Sequence, residues 1–301
     1  MSTTQHNAAQ PIVRWTGGKT KSLPALLACF PEKFGDYHEP FFGGGALFFE
    51  LWNRDQRAGL TRQYHINDAN EKLIAMYRAV AVTPSSVTAC LRELMPRHSV
   101  EQYYEIRTKY NDENWQDVEA ARFAAWFIYL NKTGFNGLYR TNRSGGFNTP
   151  VGRNARKQLL RPDMARISHL LDAASPALKP QGGTNIHAPG SYTKAVSYAS
   201  PGDLVYFDPP YDPDRKGGFT AYVGASFRQD AQSLLALHAA NLLLRGVHVV
   251  ISNHDTDLVR SLYSDGDKWR FTETTESRTG RAKKNKAKAL IIVGRPAVGS
   301  L

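Results

Sequence analysis

Only two cysteines, Cys29 and Cys90, occur in 301 residues, and they form no C-x-x-C pair. Disulfide staples, thiolate metal sites and dithiol redox chemistry are therefore not expected. A chain of this length with 42% hydrophobic residues can bury a large core without them. Long apolar runs are lacking too: nothing approaches the ~20 residues that cross a bilayer, and residues 1–10 are polar without a signal-like core. The expectation is a soluble cytoplasmic protein with no membrane partner. The nine histidines make no H-E-x-x-H or other ligand spacing, so no metal is expected, and His254 reads as a supporting residue at the end of an apolar run. There is no G-x-S-x-G elbow and no G-x-x-x-x-G-K-[ST] loop, which argues against a serine nucleophile and a phosphate-cradling P-loop.

Acid is missing from two places. Residues 132–161 hold Lys132, Arg140, Arg143, Arg153, Arg156, Lys157 and Arg161 without one carboxylate, and residues 277–301 hold seven more cations, again without acid. The net charge of +11 is concentrated there. Neutralising phosphates releases counterions, so such segments suit a polyanion, nucleic acid first among them. A solvated basic face is the other reading.

Short β-rich runs at 64–68, 204–208, 247–252 and 289–293 suggest strands of a covered sheet. Between the second and third, residues 230–245 keep a helical rhythm, with Gly246 placed as a C-cap. Strand, helix, strand implies a parallel crossover and an α/β domain. From about 71 to 130 the pattern is helical and aromatic, clearest at 118–130, and the Gly, Asn and Arg-rich stretch 131–154 reads as loop or hairpin. The organisation expected is a discontinuous α/β domain, 11–70 and 159–295, with a helical domain, 71–158, inserted in it.

Four segments carry chemistry. Glu39-Pro40-Phe41-Phe42-Gly43-Gly44-Gly45 precedes a helix expected over 46–53, and its glycines allow close backbone approach to a ligand or simply a tight turn. Asp68 follows a strand about 20 residues on, where an acid accepts from ribose hydroxyls; capping the next helix is equally open to it. In Arg14-Trp15-Thr16-Gly17-Gly18-Lys19, Trp15 is either a wall of a cofactor site or core, and Lys19 a ligand group or a surface cation. Asp208-Pro209-Pro210-Tyr211 directly follows a strand, at the sheet edge where α/β proteins bind ligands. Its prolines fix the backbone and donate nothing, so the turn offers the Asp208 carboxylate and the Pro209 carbonyl as rigid acceptors, with Tyr211 as a stacking face. Rigid acceptors facing an exocyclic amine would stabilise charge developing on its nitrogen. A proline turn that merely ends a strand remains open at this point.

Taken in order, these segments resemble the amino-methyltransferases that place the glycine motif before the recognition region and the catalytic motif after it. The hairpin sequence Leu130-Asn131-Lys132-Thr133-Gly134-Phe135-Asn136-Gly137-Leu138-Tyr139-Arg140, followed by Gly146-Phe147-Asn148-Thr149-Pro150, is similar to that of Dam-type DNA adenine-N6 methyltransferases acting on GATC. Phe219-Thr220-Ala221-Tyr222 and Ile251-Ser252-Asn253-His254-Asp255-Thr256 also resemble that group, and the likeness spans residues 12–293. It implies a Rossmann-like methyltransferase sheet with an inserted target-recognition domain, S-adenosylmethionine as methyl donor without a metal, and double-stranded DNA as partner. It further implies a nucleoid-associated monomer that can pair on DNA. Position by position, Trp15, Lys19, Phe42, Gly43, Gly45, Asp68 and Asp208 match the methyl-donor pocket. Asp208, Pro209 and Tyr211 match the grip on a flipped adenine. Arg14, Asn136, Leu138, Arg140, Asn148 and Pro150 match target-reading groups, with Phe135 at the position of an intercalating aromatic ring. Arg14 replaces a usual Lys, Thr16 an Ala and Phe135 a Tyr. Other expectations compatible with the residues are a different amine acceptor (RNA, cytosine N4 or protein glutamine), the methylating half of a restriction pair, or a silent DNA-binding protein of the same fold.

Overall fold

A computed structural model describes residues 8–153, 183–212, 229–277 and 286–296. In chain order these form helix α1 (Leu23–Ala28), strand β1 (Tyr37–Glu39), α2 (Ala46–Ala58), β2 (Gln63–Ile66), α3 (Glu71–Val82), α4 (Pro84–Leu94), α5 (Val100–Tyr110) and α6 (Ala120–Thr133). After them come β3 (Gly183–Ile186), α7 (Tyr192–Ala195), β4 (Leu204–Phe207), α8 (Gln229–Leu244), β5 (His248–His254), α9 (Asp257–Leu262), β6 (Trp269–Ser277) and β7 (Lys286–Gly294). Two compact units result: residues 1–20, 43–61 and 70–188 make the first, and 21–42, 62–69 and 189–301 the second.

The first unit is helical. Helix α6 ends where residues 131–154 lose their apolar rhythm, and it packs on α3, α4 and α5. It buries Phe123, Ala124, Phe127, Ile128 and Leu130. Helix α3 starts at Asn70, whose side chain accepts from the Leu73 amide at 3.0 Å. The cap is thus Asn70 and not Asp68, which lies two residues before the cap. Ser99 caps α5 in the same way, accepting from the Gln102 amide. Helix α2 runs five residues beyond the expected Asn53 and stops at Gly59, whose φ of 66° forms the left-handed C-cap. No single helix among the described residues is long and apolar enough to cross a membrane.

In the second unit the strands lie in the order β2-β1-β4-β5-β7-β6. Strands β2, β1, β4 and β5 are mutually parallel, and β7 reverses against β5. The expected crossover is present: β4, α8 and β5 follow one another, and Gly246, at φ 80°, ends α8 with its amide on the Leu243 carbonyl. Val205 and Phe207 of β4, Leu235 and Leu242 of α8, and Val249 and Ile251 of β5 form the core between sheet and helix. Strand β1 is three residues long and β6, after Trp269 and Phe271, is made of charged and hydroxyl side chains, so neither shows the apolar pattern that marks β4 and β5. Because β2, β1 and β4 are parallel, their carboxyl ends share one edge, the edge at which open α/β sheets hold ligands.

Candidate active site and nucleic-acid interface

Five predicted residues arrive at that edge in the second unit: Phe42, Asp68, Asp208, Pro209 and Tyr211. Phe42 follows β1 and is buried, its amide bonded to the Asn67 carbonyl at 2.9 Å. Asp68 follows β2 and accepts from the Gly190 amide through its backbone carbonyl. Asp208 follows β4 directly and is half-buried. One strand, β1, separates the ends that carry Asp68 and Asp208, two strand spacings or roughly 10 Å.

The turn after Asp208 is braced from behind. Gln232 on α8 donates from Nε2 to the Pro210 carbonyl at 3.0 Å. Its Oε1 accepts from Asn253 Nδ2 at 3.0 Å, and Asn253 Oδ1 accepts from the Asp212 amide at 3.0 Å. Gln232 and Asn253 are fully buried, so these amides have no water to compete for. His254 Nδ1 lies 2.7 Å from the Asp212 carbonyl, an acceptor only, which makes Nδ1 the protonated nitrogen. The same ring meets Tyr211 edge-on, with centroids 4.9 Å apart at 79°. Thr256 Oγ1 donates to Asp212 Oδ2 at 2.7 Å. Residues 208–212 are therefore held by α8 and by the end of β5.

The first unit holds the other predicted residues. Trp15 stacks on Tyr139 with centroids 5.0 Å apart and on Phe127 at 6.5 Å. Gly43, at φ 51°, lies under its ring: a Cβ there would stand 2.5 Å from Trp15 Cδ1. Tyr77 donates its hydroxyl to the Gly43 carbonyl at 3.1 Å, and Gly45, at φ 65°, opens α2. Lys19 is buried, donating from Nζ to the Gly17 carbonyl at 2.7 Å, so it is no surface cation.

After α6, residues 134–153 fold back into a loop held by two isolated bridges. Thr141 pairs antiparallel with Phe147, Gly134 pairs with Val151, and the Asn148 amide bonds to the Arg140 carbonyl at 2.9 Å. Helix α5 clamps it: Asn111 bonds both backbone groups of Phe147, at 2.8 and 2.9 Å, and Tyr103 donates to the Thr149 carbonyl at 2.9 Å. Phe135, Asn136, Arg140 and Pro150 are exposed, while Leu138 and Asn148 are half-buried. Arg140 donates through Nε to Asn148 Oδ1 at 2.7 Å and through Nη2 to the Asn148 carbonyl at 3.2 Å, which aims its guanidinium before any partner arrives. Arg14 is exposed, and burial together with the Arg14 charge pushes the Lys132 ammonium down to about 8.

The pattern of the D12 class N6 adenine-specific DNA methyltransferases matches residues 15–279. A type II methyltransferase of Lactococcus lactis subsp. cremoris is 35% identical over 258 residues, covering 85% of each chain. A type II methyltransferase of Methanocaldococcus jannaschii is 30% identical over 272 residues, covering 84% of this chain and 88% of its own. A DNA adenine methylase of Salmonella typhimurium is 35% identical over 256 residues, covering 84% and 83%. The chain belongs to the D12 class of N6 adenine-specific DNA methyltransferases. Its fold is accordingly the Rossmann-like α/β methyltransferase fold, and its class draws methyl groups from S-adenosylmethionine.

The sheet edge of this D12 enzyme fits that donor. Asp68 and Asp208 supply acceptors for hydroxyl and amino groups and negative charge for a sulfonium, while Phe42 and Pro209, both buried, supply apolar walls. No cluster of three or more His, Cys, Asp or Glu able to hold a metal occurs among the described residues. Phe219–Tyr222 and the basic residues Arg156, Lys157 and Arg161 lie outside the described residues. Gln232, Asn253, Asn111 and Asn131 are structurally central yet were not singled out from sequence, since an amide announces its role only through partners far along the chain.

Proposed function

We propose that this D12 enzyme transfers a methyl group from S-adenosylmethionine to N6 of adenine in double-stranded DNA, within GATC, after the adenine leaves the duplex. The braced Asp208-Pro209-Pro210-Tyr211 turn at the carboxyl edge of β4 carries this reading. An adenine amine is a poor nucleophile because its lone pair is delocalised into the ring. Hydrogen bonds from the amine to the Asp208 carboxylate and the Pro209 carbonyl localise that pair on nitrogen, and Asp208 accommodates the positive charge that develops there. Tyr211 stacks on the base, a contact worth about 1–3 kcal/mol. S-adenosylmethionine supplies an electrophilic methyl group on a sulfonium. Trp15, Lys19, Phe42, Gly43, Gly45 and Asp68 hold that donor, Asp68 through the ribose hydroxyls.

In the same reading Arg14, Asn136, Leu138, Arg140, Asn148 and Pro150 read the target. Arg140 pairs with guanine O6 and N7, Leu138 and Pro150 meet a thymine methyl, and Phe135 fills the stack the adenine vacates. The functional division we propose is a catalytic domain, 11–70 and 159–295, with a recognition domain, 71–158, whose hairpin spans about 131–154. The enzyme works as a cytoplasmic, nucleoid-associated monomer, two copies pairing on one duplex. Similarity to type II methyltransferases favours one further reading, service as the methylating partner of a restriction nuclease.

The test is transfer of labelled methyl to duplexes containing GATC, to duplexes with one base pair of that site changed, and to an RNA of the same sequence. Label confined to the GATC duplex is the expected result. Equal label on all duplexes would discard the hairpin assignment, and label on the RNA alone would discard DNA as substrate.

A further inference from the structure

Asn131, in the last turn of α6, is only 1% exposed, and its side-chain amide holds two segments that are far apart in sequence. Its Oδ1 accepts from the Arg14 amide at 2.9 Å, and its Nδ2 donates to the Arg14 carbonyl at 2.9 Å. The same Nδ2 donates to the Gly137 carbonyl at 3.1 Å. One amide thus pairs with both backbone groups of Arg14, as a neighbouring strand would, and also fastens the turn at 135–137. An acceptor and two donors on one planar group are required, which aspartate and leucine cannot supply.

That turn needs fastening. Asn136, at φ 56°, is the one non-glycine with positive φ among the described residues, and Gly137 follows at 65°. Gly137 also lies against the stem of Arg14: a Cβ there would stand 2.5 Å from Arg14 Cδ and 3.0 Å from Arg14 Cβ. The Arg14 backbone is therefore held by Asn131, while its side chain passes over a bare glycine.

We infer that Asn131 is a positioning residue for specificity: it locks Arg14 and the Phe135–Leu138 turn into one register, so that they read neighbouring base pairs as a unit. The inference rests on the proposed reading in which both segments contact DNA. Asn131→Asp keeps the size and the acceptor but turns an oxygen towards two carbonyls.

The experiment measures kcat/KM for Asn131→Asp, Gly137→Ala and Arg14→Ala on the GATC duplex and on duplexes with one base pair changed, for protein whose melting temperature and S-adenosylmethionine binding match wild type. Asn131→Asp is expected to lower discrimination about 10-fold or more at the base pair that Arg14→Ala relaxes. In the Arg14→Ala background its added effect should shrink below about 2-fold, the non-additivity of coupled residues. Gly137→Ala, which keeps the Asn131 side chain but puts a methyl against Arg14 in the turn that the amide fastens, should relax the same position and carries the test if Asn131→Asp does not fold. A uniform loss on every duplex, or discrimination unchanged in both variants while Arg14→Ala relaxes it, would overturn the role of Asn131 alone. Unchanged discrimination in Arg14→Ala would overturn the assignment of Arg14 to target reading, and the inference with it.

Discussion

At the scale of single residues, the proposed mechanism sets the carboxylate of Asp208 against an amine and not against phosphates. Asp208→Ala should therefore abolish methyl transfer while DNA binding measured by fluorescence anisotropy survives; near-wild-type turnover would contradict the mechanism. Arg140→Ala should cost about 1–3 kcal/mol of preference at one base pair, and uniform weakening on all sequences would reduce Arg140 to a phosphate contact. Lys132 makes a pH-dependent prediction. Burial and the Arg14 charge hold its folded pKa at about 8, below its unfolded value near 10.5. Between those values the unfolded chain holds more protons, so the penalty for the charged lysine is present below pH 8 and relieved as pH climbs through that window. A DNA phosphate facing Lys132 would raise its pKa, so affinity should fall from pH 7 to 9, and Lys132→Met should flatten that fall. An unchanged pH slope in the variant would remove Lys132 from the interface. The turn Asp208–Tyr211 at the end of a strand was legible because paired prolines end an apolar run and fix the backbone. Gln232 and Asn253 were not, because the Asp212 amide they serve lies 41 residues from Asn253.

At the scale of elements, β4, α8 and β5 were legible from period alone, since parallel strands buried on both faces read as continuous apolar runs. Strands β1 and β6 were not, being held by pairing with their neighbours more than by their own pattern. The end of α6 was visible as a loss of helical rhythm, but the clamping of the loop after it by Asn111 and Tyr103 depends on helix packing. Two substitutions test these elements. Leu235→Ala removes a fully buried side chain between α8 and the sheet and should cost about 2–5 kcal/mol in urea unfolding. Gly43→Ala places a methyl against the Trp15 ring in a left-handed backbone, costing about 1–3 kcal/mol and weakening donor binding in calorimetry. Donor affinity equal to wild type would separate the Trp15 stack from the donor pocket.

At the scale of the whole molecule, the two acid-free segments account for the positive charge and bring the expectation of salt-dependent binding, with a slope of about −0.9 per phosphate neutralised. A buried His38–Asp203 contact, 3.1 Å long, ties β1 to the residue that precedes β4. Burial holds the His38 imidazole below its ordinary value, so the unfolded chain takes up more protons as pH falls through about 6.5. Stability should be lost in that window, and His38→Asn should show a weaker loss in thermal unfolding between pH 7 and 5.5. Which acceptor receives the methyl group is the central question, and nucleoside mass spectrometry answers it most directly. Duplex DNA containing GATC is incubated with S-adenosylmethionine and either wild-type protein or Asp208→Ala, digested, and its nucleosides weighed. N6-methyladenine from wild type and none from Asp208→Ala is the result this account predicts. Methyl on cytosine N4, or N6-methyladenine from both proteins, would contradict it.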